Sequence, residues 1–248
     1  MSLTEEILQL IQEKKLHFSL IDPDKQKPRE AGFIARIAEE SGSSAIMVGG
    51  STLVSREQVD ETVLAIKDET SLPVILFPSG ARYLSKYADA IFFMSLLNSR
   101  DVDYVIREHV KGAFFVRDSG IEPIPMGYLI VEPGMTVGRV GKVDPVRRDD
   151  IETAVGFALA AKYLGMRFFY LEAGSGAPQP VPNEMISAVK ENVDLPLLVG
   201  GGIRDPNIAK EKAEAGADII ITGTALEKNK RNLKSHLRSI IEAIEEVK

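Results

Sequence analysis

FFYLEAGSG (168–176), PLLVGGGIR (196–204) and DIIITGT (218–224) decide how this chain is read. In each, a short apolar run stops abruptly at glycines, and the interval to the next leaves room for one helix. Continuous apolar runs of this length suit parallel strands buried on both faces. Glycines at the stop let backbone N–H groups approach a ligand without a Cβ in the way. In a barrel of eight parallel strands, loops after the last strands form a phosphate cup at the carboxyl face.

The alternation continues upstream. Strand-like runs fall at 17–21, 45–48, 73–77, 89–93, 127–131, 168–171, 197–199 and 218–221. Helical patterns fall at 29–40, 56–68, 102–110, 150–164, 183–191, 207–215 and 226–247. Eight strands with interleaved helices predict a (β/α)8 TIM barrel, read as a single β/α barrel domain over residues 1–248. Between strands three and four the chain offers only PSGARYLSKYA (78–88), too short for a helix with two loops. The third helix is therefore expected to be replaced by an irregular segment. Residues 112–126 and 133–145 also read as irregular. In the last helix Leu233, Leu237, Ile240, Ile244 and Val247 form a stripe expected to pack on the barrel.

Composition narrows the function. A net charge of −6 argues against nucleic acid as a partner of the bulk surface. The absence of cysteine excludes disulfides, thiolate metal sites and thiol catalysis. MSLTEEILQLIQEKK lacks the basic and apolar regions of a secretory signal, and no run approaches a membrane span. A cytoplasmic protein is the expectation.

Glu172 is the leading catalytic candidate, because a carboxylate at a strand end beside a phosphate cup can take a proton from a substrate hydroxyl. A salt bridge to a loop arginine is the alternative. Gly174, Ser175, Gly176, Gly201, Gly202, Gly223 and Thr224 offer N–H and hydroxyl donors to phosphate. Asp22 ends strand one and is followed by proline, and Ser51 follows the Gly-Gly of strand two. Together they offer part of a Mg2+ shell, or simply turn and cap residues. No lysine stands near a strand's carboxyl end, which disfavours a Schiff-base aldolase. His17, His109 and His236 fall at no predicted functional strand end, which disfavours a histidine-ligated metal hydrolase. His17, at the far end of its strand, reads as structural.

HFSLIDPDK (17–25), MVGGST (47–52), YLIVEPG (128–134), YLEAGSGAP (170–178), LVGGGIR (198–204) and ITGTALE (221–227) together resemble the geranylgeranylglyceryl phosphate synthase family. Its bacterial relatives are the PcrB heptaprenylglyceryl phosphate synthases. The resemblance runs from about Leu16 to Leu226 and implies a barrel with an irregular third helix. It implies a prenyltransferase joining geranylgeranyl diphosphate to sn-glycerol 1-phosphate, the first ether-forming step of archaeal membrane lipids. It further implies Mg2+ held by Asp22 and Ser51, and glycerol phosphate bound by Tyr170, Leu171, Glu172, Ala173, Gly174, Ser175 and Gly176. Gly201, Gly202, Gly223 and Thr224 would complete the cup. Leu20 stands where bacterial relatives carry a lysine, and Arg204 and Lys25 are possible substitutes. The prenyl tail is expected near 76–83 and 92–96, where no helix covers the barrel. A homo-oligomer is expected, with transient membrane contact for product release. Two other readings stay open: a phosphosugar isomerase or synthase using Asp22 and Glu132, and a non-catalytic barrel that binds a phosphometabolite.

Overall fold

In order around the wall, eight parallel strands close into a barrel, β1-β2-β3-β4-β5-β6-β7-β8, with β8 pairing back to β1. The structure is a computed structural model and describes residues 1–50, 52, 55–223 and 232–247. The strands are β1 (Leu16–Ile21), β2 (Ala45–Val48), β3 (Val74–Leu76), β4 (Ala90–Leu96), β5 (Glu122–Ile130), β6 (Phe168–Glu172), β7 (Leu197–Gly200) and β8 (Ile219–Thr222). The α-helices are α1 (Leu3–Glu13), α2 (Pro28–Ser41), α3 (Arg56–Lys67), α4 (Glu108–Ser119), α5 (Met135–Val140), α6 (Ile151–Tyr163), α7 (Asn183–Asn192), α8 (Pro206–Glu214) and α9 (Leu233–Glu245).

Local chemistry starts and stops these helices. Ser2 and Glu5 form a reciprocal capping box at α1. α2 begins with Pro28 and ends at Gly42 in the left-handed region, the favoured pairing of terminal residues. Ser55, Asp150 and Asp205 cap α3, α6 and α8 through their side chains.

Strand alternation divides the core. Phe18, Met47, Phe92, Met126, Phe168 and Tyr170 fill the barrel interior, while Phe169 and Leu171 face the helices. α1 closes the amino end. Its Ile7 joins the interior cluster, and the N–H groups of Leu3 and Thr4 donate to the Glu122 carboxylate at 2.6 and 2.9 Å. On the outside, Leu233, Leu237, Ile240 and Ile244 of α9 are buried as the stripe predicts. The expected start of that helix, 226–231, lies outside the described residues.

The third helix is indeed replaced: β3 and β4 are joined through a single 3-10 turn, Ala81–Tyr83. The stretch 112–126, expected to be irregular, instead continues α4 to Ser119 and starts β5 at Glu122. Pro123 and Pro125 hid that strand, since proline normally speaks against a central strand. Here they face Ile91 and Phe93 in register, and the Pro125 carbonyl still accepts from Arg167 N–H at 2.9 Å. Within 133–145, residues Met135–Val140 form the short helix α5.

Candidate active site

Glu172 is the last residue of β6, and the phase set by Phe168 and Tyr170 turns its side chain inward. It is 6% exposed. The Tyr170 hydroxyl donates to Oε2, and Gly174 N–H donates to Oε1 at 2.6 Å. Both bonds favour the carboxylate, but burial outweighs them and raises its pKa above the ordinary value. Among the described residues the partners of this acid are thus a phenol and a backbone amide.

The last residue of β7, Gly200, and the glycine after it make room for it. A Cβ on Gly201, whose φ is +81°, would stand 2.2 Å from Oε1, and one on Gly200 would stand 3.0 Å from Oε2. Gly201 therefore serves the carboxylate as well as the cup. With Glu172, the expected residues Tyr170, Ser175, Gly176, Gly201, Gly202 and Gly223 line a small recess at the carboxyl face. Gly174 spends its N–H on Glu172. Leu171 and Ala173 point into the outer core, so their side chains support the loop from behind. Arg204 ties the cup together, its Nη2 donating to the carbonyls of Gly176 and Ala177 at 2.7 and 2.6 Å. Thr224 lies outside the described residues.

Across the mouth, Asp22 follows directly on β1. Its Oδ1 accepts Asp24 N–H at 3.1 Å, and Lys25 Nζ lies 3.5 Å from Oδ2. Burial is the largest influence on its pKa and raises it. A Cβ at Gly50 would stand 2.3 Å from Oδ1, so the Gly-Gly turn after β2 is shaped around this carboxylate. Ser51 lies outside the described residues. Among the described residues no group of three acidic or histidine side chains gathers. A site built on Asp22, with Asp24 on the same cleft lining, suits a cation that keeps most of its waters or shares phosphate oxygens, as Mg2+ does.

From Asp22 and Glu172 an apolar cleft of about 290 Å3 runs sideways into the space left by the missing helix. Its far wall includes Leu84, Phe93, His109 and Gly112. Phe92 belongs to the core, whereas Phe93 is half-buried and meets the His109 ring at 4.6 Å. Burial lowers the pKa of His109. Glu172, Leu20, Ser175 and Gly223 line both spaces, so the recess and the cleft meet there. Glu132 is exposed, accepts Arg148 N–H at 3.4 Å and lines neither space.

Tyr104 and Tyr128 line the cleft although neither reads as a site residue in the sequence, and so does His109, set aside there for falling at no functional strand end. His109 and Tyr104 lie before or within α4, away from strand ends, so a search of strand termini passes them by. Tyr128 sits in an apolar strand whose interior phase is invisible without a partner strand.

A closed β/α barrel whose carboxyl face joins a polar recess to an apolar cleft, with a buried acid between, defines a class of barrels built for amphipathic phosphorylated ligands. The model of the PcrB family matches residues 8–244. Geranylgeranylglyceryl phosphate synthase of Pyrococcus horikoshii is 57% identical over 220 residues, covering 89% of this chain and 87% of the relative. Its counterpart in Thermoplasma volcanium is 49% identical over 247 residues, covering 100% and 98%. The crystal structure of (S)-3-O-geranylgeranylglyceryl phosphate synthase from Thermoplasma acidophilum, in complex with its substrate sn-glycerol-1-phosphate, superposes with a TM-score of 0.97. It is 48% identical, and the match covers 100% of both chains. The tryptophan synthase alpha chain of Legionella pneumophila, at 15% identity and a TM-score of 0.66, shares the fold alone. The chain belongs to the PcrB family.

Proposed function

We propose that this chain transfers a prenyl group, geranylgeranyl in the first instance, from its diphosphate to the C3 hydroxyl of sn-glycerol 1-phosphate. The observation that carries the reading is the position of Glu172, which faces the polar recess and the apolar cleft together. A phosphate fits the first space and a hydrocarbon tail the second, so the acid lies where the two substrates must react. The relative crystallised with sn-glycerol-1-phosphate supports the same acceptor here.

Asp22, with Ser51 of the Gly-Gly-Ser turn that follows β2 in sequence, would hold Mg2+. When bound, the ion supplies charge neutralisation on the departing diphosphate. The protein's own groups do the rest. The recess fixes the acceptor phosphate through N–H groups and so converts an encounter into a positioned reaction. Glu172, shielded from water and oriented by Tyr170 and Gly174, accepts the hydroxyl proton as that oxygen attacks the allylic carbon. Lys25 and Arg204 were candidate replacements for the lysine absent at Leu20. Lys25 lies against Asp22, and Arg204 braces the cup loop. We assign the first to the diphosphate side and the second to cup shape. A homo-oligomer, and brief membrane contact to release a lipid product, complete the proposal.

The test supplies labelled prenyl diphosphates of several lengths with each enantiomer of glycerol phosphate. Ether product with one enantiomer only, abolished by excess chelator and restored by Mg2+, is expected. Product with neither enantiomer overturns the reading, and turnover that persists in chelator removes the metal from it.

A further inference from the structure

Three aromatic rings floor the place where the recess and the cleft meet. Tyr128 on β5 and Tyr170 on β6 are register partners whose ring centroids lie 5.0 Å apart. Phe77, immediately after β3, meets Tyr128 edge-on at 5.3 Å and lies 5.9 Å from Tyr170. All three are buried. Tyr128 and Phe77 line the cleft, Tyr170 lines the recess, and Glu172 lines both. The Tyr170 hydroxyl is committed to Glu172. Burial and the nearby Glu172 charge keep the Tyr128 phenol protonated, so its ring stays neutral.

The prenyl transfer proposed for this site balances simply. The bond from the allylic carbon to the diphosphate oxygen breaks, and its electron pair leaves with diphosphate. A lone pair of the glycerol oxygen bonds to the same carbon, and the hydroxyl proton passes to Glu172. If bond breaking runs ahead of bond making, positive charge spreads over the allylic carbons. Those carbons would lie on the cleft side of Glu172, whose lining includes Leu20, Phe77 and Tyr128. The negative face of a desolvated ring is the group there that attracts a cation without reacting with it.

Resting on that proposed transfer, we infer that Tyr128, supported by Phe77, is a further catalytic residue whose ring stabilises the positive charge developing on the allylic carbon of the prenyl donor. The hydroxyl is dispensable to this role; the electron density of the ring is not.

The experiment replaces Tyr128 with Phe, with mono-, di- and trifluorinated phenylalanines, and with Leu, in the full chain. Single-turnover ether formation is measured at saturating substrates, beside sn-glycerol 1-phosphate affinity and thermal midpoint. Tyr128→Phe should keep most of the rate, and each added fluorine should lower its logarithm in steps. The total fall should be on the order of tenfold, because fluorine drains the ring quadrupole while barely changing its shape. Acceptor affinity and thermal midpoint should stay level across the series, which a packing role would not permit. A rate that ignores fluorination overturns the inference, as does a Phe variant as slow as the Leu variant. Failure of the unmodified chain to form ether would instead overturn the transfer reading itself.

Discussion

At Glu172 two opposing effects meet on one carboxyl group. The hydrogen bonds from Tyr170 and Gly174 hold its charge, and burial opposes it more strongly. Its folded-state pKa is therefore above that of the unfolded chain. Such a group favours folding at pH below its unfolded value and loses that contribution as pH rises through the folded one. Glu172→Gln keeps the shape and offers an acceptor to Gly174, so at pH 7 its thermal midpoint should equal or exceed that of the parent. At pH 4 the difference should vanish. Turnover should fall by roughly 100-fold or more, with glycerol phosphate binding retained. Calorimetry beside rapid-quench rates checks both halves, and unchanged turnover removes Glu172 from its role. Gly201→Ala probes the same acid from behind. Its Cβ would strike Oε1, and its φ of +81° is one that alanine resists. A loss of about 1–3 kcal/mol of stability, together with lost turnover, is expected from denaturant titration and assay. Glu172 was legible in sequence because a charged residue ends an apolar run. The second task of Gly201 was not, because nothing in GGGIR says which neighbour needs the space.

Among the elements, β1 and β8 share a buried polar chain that no motif announces. His17 Nδ1 meets Ser43 Oγ at 2.9 Å, Nε2 meets Thr222 Oγ1 at 2.9 Å, and Ser19 Oγ meets Ser43 Oγ at 2.9 Å. The structural role read for His17 fits this placement on the helix-facing side of β1. Burial lowers its pKa from 6.5 to about 3. Between those values the unfolded chain carries a proton that the folded chain refuses, so stability should fall as pH drops through that window. The slope approaches about 1.4 kcal/mol per pH unit, or about 2 kcal/mol between pH 6.5 and 5. Urea unfolding of the parent and of His17→Gln should show the variant losing less over that interval. Identical slopes would show that the ring is not what titrates. The strands themselves were mostly legible, because runs buried on both faces are apolar throughout. That same uniformity erased their phase. The interior role of Tyr128 was hidden for this reason, and the prolines of β5 concealed where its strand begins.

The whole molecule owes its cleft to an omission. Seven of the eight strands of a β/α barrel can be covered by regular helices and still leave one side of the wall open to a long apolar ligand. Here the 3-10 turn after β3 leaves that side uncovered, and α4 forms its far wall. The gap was legible as a segment too short for a helix. The wall was not, since α4 reads as ending well before Ser119. Gly112 lies on that wall, where an added Cβ would come 3.1 Å from Leu84 Cδ1 and 3.5 Å from Ala81 Cβ. Gly112→Phe should therefore fill the cleft's far end while leaving Asp22, Glu172 and the cup untouched. The position is helical, so replacing glycine there does not oppose the backbone. Donors with five- or ten-carbon tails should react at nearly the parent rate, while a twenty-carbon donor should lose at least tenfold in kcat/KM. The KM for sn-glycerol 1-phosphate should not move. Equal losses for short and long donors would mean that the tail does not run beneath α4, and the path of the hydrocarbon would have to be sought on another face of the barrel.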